Sequence, residues 1–97
     1  MKEEYCIMPK DIQGRWTNMR SEGLVRHEVM FGKNRQKSIE DGLVVFLTPK
    51  LHNMSDYGVH FNKSFDDELK RIGQETWQNY YNKTTEDFIK RYGKNYL

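Results

Sequence analysis

Five consecutive apolar residues, Leu43-Val44-Val45-Phe46-Leu47, limit the fold of this chain more tightly than any other stretch. A short continuous run of aliphatic and aromatic residues, with no polar alternate, reads as a buried strand. The chain must cover it with few materials. Hydrophobic residues are 36% of the 97 and charged residues 31%, so the aromatics, at 13%, have to supply much of the buried area. No repeat, low-complexity tract or linker divides the sequence, which reads as one small, polar, aromatic-rich domain.

Upstream, Leu24-Val25-Arg26-His27-Glu28-Val29-Met30-Phe31 is a second β-prone segment whose side chains alternate between faces until Gly32 ends it. In a regular strand His27 and Glu28 point apart, so both serve one site only where the backbone twists or leaves the sheet. From Gly32 to Gly42 the composition predicts a loop carrying Lys33, Arg35 and Lys37, with Ser38-Ile39-Glu40-Asp41 fitting a capping box for a single helical turn. After the apolar run, Thr48 caps a short helix with Pro49 at its first position, which places His52 in its first turns. Asn53 to Gly58 breaks that helix, and Val59-His60-Phe61 reads as extended.

Two helices follow. Phe65, Leu69, Ile72, Thr76, Trp77 and Tyr80 recur at helical spacing from about Asn62 or Ser64, an aromatic stripe read as core, with Gly73 a mild weak point. Thr84 or Thr85 caps a last helix through Tyr92, turning Phe88, Ile89 and Tyr92 inward and stopping at Gly93. The first 23 residues read as a loosely organised arm. In it Tyr5-Cys6-Ile7-Met8 is strand-prone up to Pro9 without a settled assignment, and Trp16 is a core plug in preference to a base-stacking platform.

Charge and cysteine content narrow the function classes. The formal net charge of +2 selects no partner, but Lys10 to Lys37 holds seven basic residues against three acidic ones. That half either faces a polyanion or forms a solvated loop surface. Cys6 is the single cysteine, so neither an internal disulfide nor an all-cysteine zinc site can form. No run approaches the ~20 apolar residues of a membrane span and no signal-peptide pattern opens the chain, so no membrane partner and a cytoplasmic location are expected. The three histidines, His27, His52 and His60, lie within this basic and apolar middle stretch. Imidazole is the commonest metal ligand among side chains.

This order, a strand with His, a loop, a strand and a helix with His, resembles the ββα-metal motif of HNH endonucleases. Arg26-His27-Glu28-Val29 with Phe31-Gly32 is similar to the first-strand motif of small phage HNH-type proteins, and Gly42-Leu43-Val44-Val45 with Leu47 to the second. Thr48-Pro49-Lys50-Leu51-His52 resembles the metal-binding helix of the colicin-type branch. Gly58-Val59-His60-Phe61-Asn62-Lys63 and Phe88-Ile89-Lys90-Arg91-Tyr92-Gly93-Lys94-Asn95-Tyr96-Leu97 resemble the closing half of the phage proteins.

The resemblance implies an α+β domain with a ββα-metal-like core over residues 24–60, a hairpin-like two-stranded sheet on a short helix, and C-terminal helices over 62–93. It implies metal-dependent hydrolysis of DNA phosphodiester bonds, with His27, His52 and His60 on a divalent ion such as Mg²⁺, Mn²⁺, Ni²⁺ or Zn²⁺. Glu28, in a place where most relatives have His, would be the general base or a further ligand, and His27 the catalytic metal ligand. Arg26, Lys33, Arg35, Lys37 and Lys50 would lie near phosphates. The chain departs from the pattern at three points. Glu28 replaces the basic imidazole, Gly42 stands near the place of the orienting Asn, and Pro9 and Thr48 stand where zinc cysteines would accompany Cys6. Together these describe a divergent enzyme or a retired one. A retired one would survive as a binding protein, for example a phage-encoded inhibitor of a host defence nuclease.

Overall fold

A computed structural model describes residues 5–52 and 59–97, and side chains in the second span from residue 63 onward. The architecture is α+β: strands β1 (Val25–Glu28) and β2 (Val44–Leu47) pair antiparallel, with Val25 opposite Leu47 and Glu28 opposite Val44. A 3₁₀ turn (Gly32–Asn34) and helix α1 (Arg35–Glu40) connect them. A helical turn, α2, includes residues 49–52; the long helix α3 (Val59–Tyr81) and the short α4 (Thr85–Tyr92) complete the chain. Among the described residues no helix is long and apolar enough to cross a membrane.

The reason β2 reads as an unbroken apolar run lies in its neighbours. β1 lines one edge, and on the other Thr17 and Phe46 exchange both backbone hydrogen bonds at 2.9 Å. Further along, the Ile7 N–H donates to the Gly42 carbonyl at 2.9 Å. Backbone partners flank β2 on both edges, and all four of its residues are buried, so no position faces water as a polar alternate. The core is completed by Met8, Trp16, Val29, Met30, Leu43, Leu69, Trp77, Phe88 and Tyr92.

The N-terminal stretch expected as a loose arm therefore packs. Met8 and Trp16 are core residues, and the indole N–H of Trp16 donates to the Pro9 carbonyl at 2.9 Å. Arg15 bridges Asp11 and Glu68, at 2.7 and 2.6 Å, and so ties this stretch to α3. Burial pushes the Asp11 carboxyl up, but hydrogen bonds from Arg15 and from the backbone N–H groups of Gln13 and Arg15 outweigh it and hold it below the ordinary range.

Three local expectations are corrected. The Gly32–Gly42 segment is mostly helical, not a loop with one turn: α1 already runs from Arg35, and Ser38 sits buried inside it without capping it. Its hydroxyl donates to the Leu43 carbonyl at 2.6 Å and accepts from the Met30 N–H at 3.1 Å, pinning both ends of the connection. Val59, His60 and Phe61 are helical, not extended, because they continue the helix that the Leu69 face anchors; adding a residue to an existing helix needs no new nucleus. Ile89 is 39% exposed and does not join the core, which takes Phe88 and Tyr92 from α4 instead. The expected break over 53–58 lies outside the described residues.

Gly73 turns out to be a contact and not a weakness. A Cβ at this helical position would stand 2.9 Å from Val29 Cγ1, so its absence lets α3 lie directly on the segment that follows β1. The ends of α4 follow the expected chemistry: Thr84 and Asp87 form a reciprocal capping box, and Gly93 closes the helix at φ +85°. Asn34 and Lys37, from the β1–β2 connection, donate to the carbonyls of Tyr92 and Arg91 and satisfy that helix end.

Candidate functional site

β1 stops at Glu28, where the chain bends through Val29 and Met30. His27 and Glu28 are consecutive residues in the regular register of β1, and both border the same space. At the other end of the ladder, β2 finishes at Leu47 and Thr48 starts α2 at once. Its Oγ1 accepts from the Leu51 N–H at 3.3 Å and its carbonyl from the His52 N–H at 2.9 Å. Capping so close to the strand folds His52 back over the sheet. The rings of His27 and His52 meet edge to face, centroids 5.5 Å apart and planes at 76°.

The two imidazoles sit in a cavity of about 560 Å³ lined also by Arg20, Arg26, Glu28, Phe31 and Arg35. That volume falls in the ~300–1,000 Å³ range of ligand sites. Three guanidinium groups face one carboxylate, so the lining carries an excess of positive charge. Arg26 Nε donates to Glu28 Oε2 at 2.9 Å, and Arg35 Nε pairs with Oε1 at 3.0 Å. Each oxygen of the expected base thus already faces a guanidinium. Arg20 also lies over the Phe46 ring, 5.1 Å from its centroid, which fixes it against the strand. Phe31 is 38% exposed, with its centroid 5.8 Å from that of His27 and the Lys70 ammonium 3.9 Å over the ring.

Of the residues singled out in the sequence, His27, Glu28, His52, Arg26 and Arg35 come together. Lys33 and Lys50 are exposed and do not line the cavity, and the Lys37 ammonium donates instead to the Arg91 carbonyl at 2.8 Å. The His60 side chain lies outside the described residues. Arg20 and Phe31 join the site without having been assigned to it. Arg20 belonged to the basic excess of the N-terminal half, and Phe31 to the first-strand motif, but neither was given a part in the site.

Imidazole is a side chain that can give a divalent ion a neutral nitrogen donor, and here two such rings touch edge to face. Among the described residues no three His, Cys, Asp or Glu side chains converge as a ligand set. The arginines offer a different chemistry: planar guanidinium groups match phosphate oxygens in a fork geometry that ammonium groups lack. Imidazole, as a side-chain type, exchanges protons near neutral pH. A cavity that combines the two suits a phosphate ester better than a neutral or cationic ligand. Compared with known protein families, curated proteins and solved structures, the chain gave no match.

Proposed function

We propose that this chain is an HNH-like ββα protein that binds DNA phosphodiesters in the His27–His52 cavity and hydrolyses them with a divalent ion. The observation that carries the reading is the approach of two histidines, distant in sequence, to a 5.5 Å ring separation within a wall of three arginines. His27 and His52 would hold the ion with His60, and a bound ion would neutralise charge on the phosphate. The chain's own part is to seat the phosphate against Arg20, Arg26 and Arg35 and to exclude other ligands by charge. Host-cell cytoplasm is the compartment this reading implies for a phage-encoded chain.

Plasmid DNA incubated with Mg²⁺, Mn²⁺, Ni²⁺ or Zn²⁺ should be nicked, chelator should stop it, and His52→Ala should abolish it. Calorimetric titration should show one ion bound per chain and its loss in His52→Ala. Folded protein that neither cleaves with any of these ions nor binds one would end this reading.

One observation favours a second reading. Arg26 and Arg35 already engage both oxygens of Glu28, a poor arrangement for a group that must take a proton from water. On this reading the scaffold keeps binding and lacks catalysis, as an inhibitor of a host nuclease would. A tight host-protein complex that persists when His27, His52 and His60 are all changed to Ala would favour it over hydrolysis.

A further inference from the structure

Among the described residues Phe31 is the one large apolar side chain of the cavity wall, and its setting differs from that of a core residue. It is 38% exposed in a chain whose core aromatics Trp16, Phe46, Trp77, Phe88 and Tyr92 are all 5% exposed or less. Its orientation is nevertheless fixed. Lys70 Nζ lies 3.9 Å from the ring centroid, held there by its 2.6 Å pair with Asp66, and the His27 ring is tilted against it at 5.8 Å. An aromatic ring left open to solvent, but immobilised by a cation and an imidazole, has already lost the rotamer freedom that binding would otherwise cost.

The rest of the wall supplies what such a ring lacks. Arg20, Arg26 and Arg35 border the same volume. A guanidinium cluster that binds phosphate oxygens next to a fixed aromatic face is the pairing by which unpaired nucleotides are held: charge tracks the backbone, and the ring stacks a base. A base still paired inside a duplex keeps both faces stacked on its neighbours and has none to offer. The pocket opens to solvent, and about 560 Å³ is room for one nucleotide.

We infer that the cavity takes single-stranded nucleic acid, with an unstacked base lying against Phe31 and its flanking phosphate against the arginines. This rests on the phosphodiester-binding reading above and adds to it the strandedness of the substrate and the residue that selects it. Phe31 is then a specificity-determining residue, apart from any ion held by the histidines.

Fluorescence anisotropy with a short labelled oligothymidylate, and with the duplex it forms with its complement, tests this with chelator present so that nothing is cleaved. The single strand should bind more tightly than the duplex. Phe31→Leu, which keeps an apolar side chain at an exposed position and so spares the fold, should weaken the single strand roughly 5- to 100-fold. Phe31→Tyr, which keeps a stacking face, should bind like the parent. Arg35→Ala should weaken both forms, because it removes phosphate contact without regard to strandedness.

Equal binding of the two forms, or a single strand indifferent to Phe31→Leu, overturns the inference. In that case sensitivity to Arg35→Ala shows that the DNA-binding reading still stands. Failure of folded protein to bind either form ends both.

Discussion

Two carboxylates, Glu28 and Asp41, are equally buried, both bind arginine, and serve different ends. Each side chain is 13% exposed and each is paired to arginine, so neither burial nor charge separates them. What separates them is the space around them. Asp41 accepts from Arg91 through both oxygens, and its Oδ2 also accepts from the Trp77 indole and the Tyr92 hydroxyl, both at 2.7 Å. Burial first, then this hydrogen bond to Asp41, pushes the Tyr92 hydroxyl well above the ordinary tyrosine range, so it stays a donor at any physiological pH. Every donor there is internal, and they lock α1, α3 and α4 together. Glu28 instead borders the open cavity beside two imidazoles. An ion pair is structural where the protein fills its surroundings, and a candidate for function where it leaves room for a ligand.

The sharpest break of this comparison is to remove Asp41. Asp41→Ala leaves the Arg91 guanidinium, the Trp77 N–H and the Tyr92 hydroxyl without their shared acceptor, and should cost about 3–5 kcal/mol in denaturant unfolding. That is much of the ~5–15 kcal/mol typical of a folded domain. A loss under ~1 kcal/mol would mean that the helices are held by apolar packing alone.

Gly73→Ala probes the wall between the two regions. The helix gains up to ~1 kcal/mol from the better helix former, but the new Cβ meets Val29 Cγ1 at 2.9 Å, and Val29 is fully buried with nowhere to go. Overpacking of ~1–3 kcal/mol wins, and a net loss of stability is expected. The displaced Val29 adjoins Glu28, so oligonucleotide affinity should fall as well. A stabilised variant with unchanged affinity would show that this contact relaxes freely.

Glu28→Gln is the counterpart of the Asp41 variant. Arg35 is 63% exposed and Arg26 30%, so solvent screens the pairs and the stability change should stay below about 1 kcal/mol. Removing the negative charge should raise oligonucleotide affinity several-fold, while any divalent-ion cleavage falls. A loss of stability as large as that of Asp41→Ala would make Glu28 a structural residue and dissolve the contrast.

The smallest effect is set by pH. Asp11 is held below the ordinary range by Arg15 and two backbone donors, and Asp87 by its hydrogen bonds with the Thr84 backbone and side chain. A carboxyl lowered in the folded state adds stability above its unfolded value, near ~3.9, and loses it as pH falls through the folded value. Urea midpoints should therefore hold from neutral pH to about pH 5 and drop below about pH 4. Asp11→Asn should flatten that drop by ~1 kcal/mol or less. Acid sensitivity unchanged in this variant would place its origin elsewhere.

How much was legible follows from how local each cause is. Thr84 and Gly93 announce the ends of α4, and Thr48-Pro49 the start of α2, because a cap is a bond between residues a few positions apart. Ser38 deceived for the same reason: Ser-x-x-Asp satisfies the capping pattern, yet the helix had already begun at Arg35, and the hydroxyl was claimed by Met30 and Leu43. Gly73 reads as a weak helix former until Val29 is brought against it. Histidines 27 and 52 could be nominated by residue type, but Arg20 and Phe31 become site residues only through the neighbours they acquire.

The amino-acid order alone determined that residues 43–47 would be buried, where α2 and α4 would be capped, and that the basic charge would gather in the N-terminal half. These depend on side-chain chemistry acting over a turn or a strand. Only the tertiary structure decided which of two arginine-bound carboxylates would be enclosed and which would border a cavity. That outcome depends on how closely α3 can approach the end of β1 and on where α2 turns back, distances set by packing between segments far apart in the chain.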